Sequence, residues 1–272
     1  MNLFTVIILG IVQGLTELFP VSSSAHLVII QSFLPDFRQP GVAFDVVLHL
    51  GTLFAVAFYF RADLWNMLKA LMPQKLVSAE ASGDTDIITL RKLVLFLIIG
   101  TIPAALLGLL FQDEIHRVFE SARAAAFFLI ITGFLLYFSD KVTNTVRNEK
   151  DMKLIDSILI GLAQAMALLP GISRSGATIT AGIFCKLNRP AAARFSFLLS
   201  LPAVFGAVVL ESGFLKNISY QEMWLYVTGF ICAAGAGLLS LKLFFLIIRE
   251  ARLKFFAYYC WIFGLLTLLA VH

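Results

Sequence analysis

The sequence predicts an all-α polytopic membrane protein, with six transmembrane helices plus two re-entrant helical hairpins arranged as an inverted-topology repeat. Three observations predict it. The 272 residues are 60% hydrophobic and only 14% charged, with a mean hydropathy of +0.90, beyond the roughly half-apolar composition of soluble domains. Two apolar stretches are broken in the middle by proline, at Pro20 and Pro170. Their halves are shorter than the roughly 20 residues needed to cross hydrocarbon. Finally, sliding the chain by 151 positions brings Gly10 onto Gly161, Gln13 onto Gln164, Ser22 onto Ser173 and Ser24 onto Ser175.

Residues 3–19 are apolar, and Pro20 ends them because proline lacks the N–H that a helix requires. Residues 22–34 form the other arm, closed by Pro35, and together the arms predict a hairpin that enters and leaves on one side. Residues 42–60 predict the first full span. A mixed-charge loop at 61–92 follows, with a polar tip around Ser78–Asp86. Spans are expected at 93–111 and 122–138, then a charged loop from Asp140 to Lys153. Residues 154–169 and 173–187 repeat the broken hairpin, and spans at 195–212, 224–248 and 255–271 complete a single membrane domain. Its internal repeats run over about 1–138 and 152–272. The ungapped shift also pairs Phe44 with Phe195, but the polar and glycine matches carry the weight, because such residues are scarce inside spans. An odd number of spans per repeat turns the second copy upside down, and inverted repeats with broken helices are one way to build a site near the midplane.

Loop charge orients the chain. One side would hold Arg61, Lys69, Lys75, Arg91, Lys92, Lys141, Arg147, Lys150, Lys153, Lys186, Arg189, Arg194, Arg249, Arg252 and Lys254, against Arg38, Arg117, Arg123 and Lys216 on the other. The positive-inside rule makes the first side cytoplasmic. Both termini then lie outside, and Arg194 reads as an interfacial anchor. The net charge of +4 is a loop property, and no nucleic-acid partner is expected. Cys185, Cys232 and Cys260 lie in or beside apolar segments without metal spacing, and read as unpaired packing residues.

The chemistry concentrates at the two breaks. Pro170-Gly171-Ile172-Ser173-Arg174-Ser175-Gly176-Ala177-Thr178 stops one helix and starts another, with Ser173 placed to cap it. Unpaired N–H groups, a positive dipole end, hydroxyls and a guanidinium make an anion site, with phosphate as the expected anion. The plainer alternative is a structural arginine tied to backbone carbonyls. In the first hairpin, Gln13 and Glu17 are four apart and share a helix face. Two oxygen-bearing side chains there suit a divalent cation, Mg²⁺ or Ca²⁺, or Glu17 simply neutralises Arg174. Ser22, Ser23 and Ser24 open the next helix, and His26 follows Ser22 by four and Ser23 by three. A histidine within reach of a serine can take its proton and make it a nucleophile, or His26 itself attacks phosphorus. Asp45 and His49 are also four apart, and either pair with each other or line the mouth of the site.

On Gln13-x-x-x-Glu17 with Pro20 through His26, on Phe44 to Thr52, and on Pro170 through Thr178, the chain resembles the undecaprenyl-diphosphate phosphatase family, also called the bacitracin-resistance family. The resemblance runs over essentially the whole length. It implies hydrolysis of a C55 polyprenyl diphosphate to the monophosphate in the bacterial inner membrane, which recycles the lipid carrier for peptidoglycan synthesis. It also implies a divalent cation. Carried over by position, Glu17 and Gln13 would serve the metal and Arg174 would hold the diphosphate. Ser23 and His26 would be nucleophile and base, and Ser22, Ser24, Ser173, Ser175, Gly176 and Thr178 would line the phosphate pocket. Many members have Glu where this chain has Gln13, and Ser24-Ala25 replaces a commoner Thr-Gly. The active site is expected to open to the outer face, with bilayer and polyprenyl lipid as partners; homodimerisation is left open. The rival class is a transporter or flippase for an anionic polyprenyl lipid using the same anion site. It would move lipid without releasing phosphate.

Overall fold

The computed structural model describes residues 2–34, 43–72, 84–119, 121–211, 213, 222–248 and 252–271. Expectations resting on Pro35, Arg38, Lys75, Lys216, Arg249 and the polar tip from Ser78 to Gly83 fall outside these residues. The described residues are almost wholly helical. Helix α1 (Leu3–Leu18) is capped by Asn2, whose side chain accepts from the Thr5 N–H at 2.8 Å. It stops where Pro20 requires, and α2 (Ser23–Ser32) follows. Next come α3 (Ala43–Tyr59), α4 (Arg61–Leu71), α5 (Asp84–Leu110), α6 (Gln112–Phe119) and α7 (Ala122–Ser139). A 3-10 turn at Glu149–Asp151 precedes α8 (Leu154–Met166) and α9 (Arg174–Phe184). The chain ends with α10 (Arg189–Glu211), α11 (Met223–Ile247) and α12 (Lys254–Ala270).

Among the described residues, four helices are long and apolar enough to cross a membrane: residues 87–110, 122–139, 189–210 and 223–247. A fifth crossing results if α3 and α4, bent by 72° at Phe60, act as one. Helices α1, α8 and α12 are apolar but shorter. The expected loop at 61–92 is corrected. Residues 61–71 are helical, and α5 already begins at Asp84. Arg61, Asp63 and Lys69 gave that stretch a loop-like composition, yet Met67 and Ala70 are buried and the Arg91 Nε donates to the Ala70 carbonyl at 2.6 Å. The stretch is an amphipathic helix folded across the end of the bundle. Helix α6 and the start of α10 at Arg189 rather than 195 are likewise additions.

Small residues let the short arms approach full-length helices closely. Helix α1 lies on α11, where a Cβ on Gly14 would sit 2.6 Å from the Ala233 carbonyl oxygen. Helix α8 lies on α5, and a Cβ on Gly161 would collide with the Gly100 carbonyl.

Charged residues gather at one end. Arg194 donates to Asp63 at 2.7 Å and Glu149 at 3.1 Å, so it ties α4 and the 140–153 connection to α10 and is more than an anchor. Asp140 accepts from Arg189 at 2.7 Å and from the N–H groups of Leu253 and Lys254 at 3.0 and 2.9 Å. Arg147 donates to Asp156 at 2.5 Å and to the carbonyls of Cys185 and Asp151 at 2.6 Å each. The hydrogen bond to Asp156 pushes the Arg147 guanidinium above its already high ordinary value. Asp156→Asn leaves that guanidinium without its counter-charge. We expect it to lower stability by about 1–3 kcal/mol, seen as a lower thermal midpoint in detergent. Turnover should stay within about twofold of wild type.

Candidate active site

Both hairpins break at turns that the local sequence enforces. In the first, Phe19 is extended, and Ser22 adopts φ 65° while its Oγ caps α2 at the Ala25 N–H. A left-handed serine costs about 1–3 kcal/mol, and it sets Ser23 at the head of α2. Phe19 is pinned against Phe244 and Phe256, with ring centroids 6.1 and 5.6 Å away. In the second, Gly171 has φ 103°, and any Cβ there would collide with the Ala125 carbonyl. Ser173 caps α9 by accepting the Gly176 N–H at 3.0 Å. Thr132 of α7 clamps this turn, donating to the Gly171 carbonyl at 2.8 Å and accepting the Ser173 N–H at 3.0 Å.

The two tips meet at Glu17, which is only 9% exposed. Its Oε1 accepts from Arg174 Nη2 at 2.5 Å. Its Oε2 accepts a short hydrogen bond from Ser23 Oγ and another from Gln13 Nε2 at 3.1 Å. His49 Nε2 lies 3.6 Å from the same oxygen. A carboxylate inside an apolar bundle is expensive unless paired, and here one guanidinium and two donors hold it. Two atoms in the cluster are buried without a hydrogen-bond partner: Arg174 Nη1 and Gln13 Oε1. Each can still take a ligand, the first an anion and the second a cation. A narrow cleft lined by Glu17, Thr52, Leu53, Val56, Arg174, Ser200 and Val204 reaches the ion pair.

Glu17, Gln13, Ser23 and Arg174 thus come together. His26 does not join them. Its Nδ1 donates to the Ser22 carbonyl at 2.7 Å, which leaves Nε2 to accept from the Tyr259 hydroxyl at 2.7 Å. The ring lies stacked on Phe263, centroids 4.6 Å apart. The expected Ser23–His26 hydrogen bond is replaced by one from Ser23 to Glu17. Helical spacing gave His26 the correct face but could not tell that α12 would claim the ring.

The predicted phosphate-lining hydroxyls sit mostly in the framework. Ser22 and Ser24 hydroxyls lie 3.2 Å apart, and Ser24 accepts from the Gly171 N–H at 3.4 Å. Ser173 Oγ also lies 3.2 Å from that of Ser175, which donates to the Phe19 carbonyl at 3.3 Å. Thr178 donates to the Arg174 carbonyl at 2.7 Å and meets Ser196 Oγ at 2.5 Å. A Cβ on Gly176 would crowd the Ser173 side chain at 3.0 Å. These residues hold one hairpin to the other and fix the base of Arg174.

Sequence reasoning missed Thr52, Ser200 and Tyr259 and left His49 undecided. A signal existed. The same 151-residue shift carries His49 onto Ser200 and Asp45 onto Ser196, polar residues inside an apolar span. Asp45 accepts from Gln31 at 2.9 Å, and its carbonyl takes the His49 Nδ1–H at 2.7 Å. Cys185, Cys232 and Cys260 are all unpaired.

Fold and site define a helical membrane protein with a buried centre in which a hydroxyl, a carboxylate and a guanidinium touch. The chain belongs to the bacitracin-resistance family: residues 6–266 match the family model described as "Bacitracin resistance protein BacA". Among its relatives, the undecaprenyl-diphosphatase of Methanobrevibacter smithii is 40% identical, the alignment covering 98% of this chain and 97% of that protein. That of Syntrophotalea carbinolica is 41% identical, covering 97% of each, and that of Geotalea daltonii 42%, covering 100% and 99%.

Proposed function

We propose that the protein hydrolyses undecaprenyl diphosphate to undecaprenyl phosphate and inorganic phosphate, recycling the carrier lipid of peptidoglycan synthesis and giving bacitracin resistance. The observation that carries this is Ser23 Oγ hydrogen-bonded to Glu17 while Glu17 is held by Arg174. It joins relatives that bear the name over nearly their whole length. Phosphoryl transfer asks mainly for positioning and charge neutralisation. Arg174 Nη1 grips the terminal phosphate oxygens. Ser23 Oγ attacks the phosphorus as its proton passes to Glu17 Oε2, and the polyprenyl monophosphate leaves. Water then releases phosphate from the serine, taking the reverse proton path. His26 supports this arrangement by fixing the head of α2 from the α12 side.

The reciprocal packing of α1 on α11 and α8 on α5 supports the inverted repeat over about 1–138 and 152–272, with α1–α2 and α8–α9 as the re-entrant hairpins and six crossings in all. The cationic end ties together at Arg147, Arg189 and Arg194, which supports its cytoplasmic assignment; both termini then lie outside by the positive-inside rule. The tail leaves past Leu53, Val56 and Val204 between α3 and α10, where Phe54, Phe58 and Phe205 face outward. The head group is reached from the outer face.

A divalent cation fits this centre: Gln13 Oε1 is buried without a partner, on the amide whose Nε2 donates to the Glu17 carboxylate. Among the described residues no cluster of three His, Cys, Asp or Glu side chains exists, so the ion would keep waters and substrate oxygens, as Mg²⁺ does. When bound it supplies charge neutralisation at the phosphate. Glu17→Gln is expected to raise the cation concentration for half-maximal binding at least about tenfold, read by titration calorimetry. An unchanged isotherm places the ion elsewhere. The function itself is tested by phosphate release from a C55 diphosphate by purified protein in detergent. No release, with lipid movement across vesicles, would favour the transporter reading.

A further inference from the structure

We propose that His49 Nε2 is a third protein ligand of the cation, and that it biases the centre toward a first-row transition ion such as Mn²⁺ over Ca²⁺. The inference rests on the cation reading above and extends it. His49 Nδ1 lies 2.7 Å from the Asp45 carbonyl oxygen, which can only accept. That nitrogen therefore carries the hydrogen, which leaves Nε2 as the atom turned toward Glu17, where the neutral form of the ring presents a lone pair. A carbonyl bond on the far nitrogen is the usual way a metal-binding imidazole is aimed. Two acceptors then face each other, Nε2 and Glu17 Oε2, across 3.6 Å.

That gap is slightly wider than two donors sharing one ion, and a small rotation of the His49 ring closes it. Bonds of about 2.1 Å at angles between octahedral and tetrahedral put neighbouring donors about 3.0–3.4 Å apart. A proton between His49 and Glu17 would satisfy those two groups alone. It would leave Gln13 Oε1, whose residue is 0% exposed, still without a partner. A cation there satisfies this oxygen too once the Gln13 amide, whose Nε2 now faces Glu17 at 3.1 Å, turns over. The set is one carboxylate, one amide oxygen and one imidazole. Nitrogen favours Mn²⁺, Co²⁺ or Zn²⁺, whereas Ca²⁺ takes oxygen almost exclusively.

The test uses tag-free full-length protein in detergent, with Mn²⁺ alone as the probe. Pulsed electron paramagnetic resonance should show ¹⁴N coupling to bound Mn²⁺ in the wild type. The coupling should become ¹⁵N on histidine labelling and vanish in His49→Gln, while Mn²⁺ still binds with a dissociation constant raised at least about tenfold. His49→Gln should also reduce the Mn²⁺-over-Ca²⁺ preference at least about tenfold. The His49 side chain is 29% exposed, so the substitution leaves the core intact; His26→Gln serves as the control that keeps the coupling. Mn²⁺ bound in a Glu17-dependent manner without nitrogen coupling overturns the His49 assignment alone. Failure of Mn²⁺ to bind at all overturns the cation reading, and this ligand with it.

Discussion

Arg174→Ala is expected to reduce kcat/KM by at least about 10³-fold while the protein still extracts and unfolds cooperatively. The guanidinium does two things at once. Nη2 neutralises Glu17 at 2.5 Å, and Nη1 stands buried without a partner, ready for a phosphate oxygen. Lysine cannot do both, because its ammonium is a point charge on a flexible stem, and Arg174→Lys should recover no more than about tenfold. A purely neutralising role makes a different forecast. If Arg174 only offsets Glu17, then adding Arg174→Ala to Glu17→Gln leaves the affinity for inorganic phosphate where Glu17→Gln alone sets it. We expect the double variant to bind phosphate at least about tenfold more weakly than Glu17→Gln; equal affinities would sink the anion-binding role.

Ser23→Ala should lower kcat by about 10³-fold or more with KM changed only slightly, since a nucleophile acts in the transition state rather than in binding. The neighbouring hydroxyls provide the comparison. Ser22 and Ser24 face each other and the second hairpin, so their alanine variants should lose less than about tenfold, the scale of a missing hydrogen bond. Acid-quenched single turnovers with labelled substrate should place phosphate on Ser23. Label on His26 would sink the serine assignment.

Much of this centre could be read in the sequence because breaks in a membrane helix require residues that stand out. Pro20, Pro170 and Gly171 mark the turns, and Ser22 and Ser173 cap the helices after them. Glu17 and Arg174 could be matched because each charge needs an opposite one inside lipid. The histidines were less legible. His26 and His49 both stand four residues from a polar neighbour, and spacing along one helix does not reveal which third element will meet the ring. His26 met Tyr259, and His49 met Glu17. Helix α4 was obscured because its charges resemble a loop, and only the burial of Met67 and Ala70 marks its inner face.

The seating of α1 on α11 has a consequence for biogenesis. The first arm leaves the ribosome more than two hundred residues before the surface that receives it, since Gly10 and Gly14 dock on Gly229 through Gly237. Throughout most of translation this half-length segment, carrying an acidic side chain, has α2 and α3 beside it but lacks the helix on which most of its length rests. Maturation of the centre therefore waits for the last quarter of the polypeptide, and a chain arrested before α11 would possess every residue named above through Ser200 yet be inert.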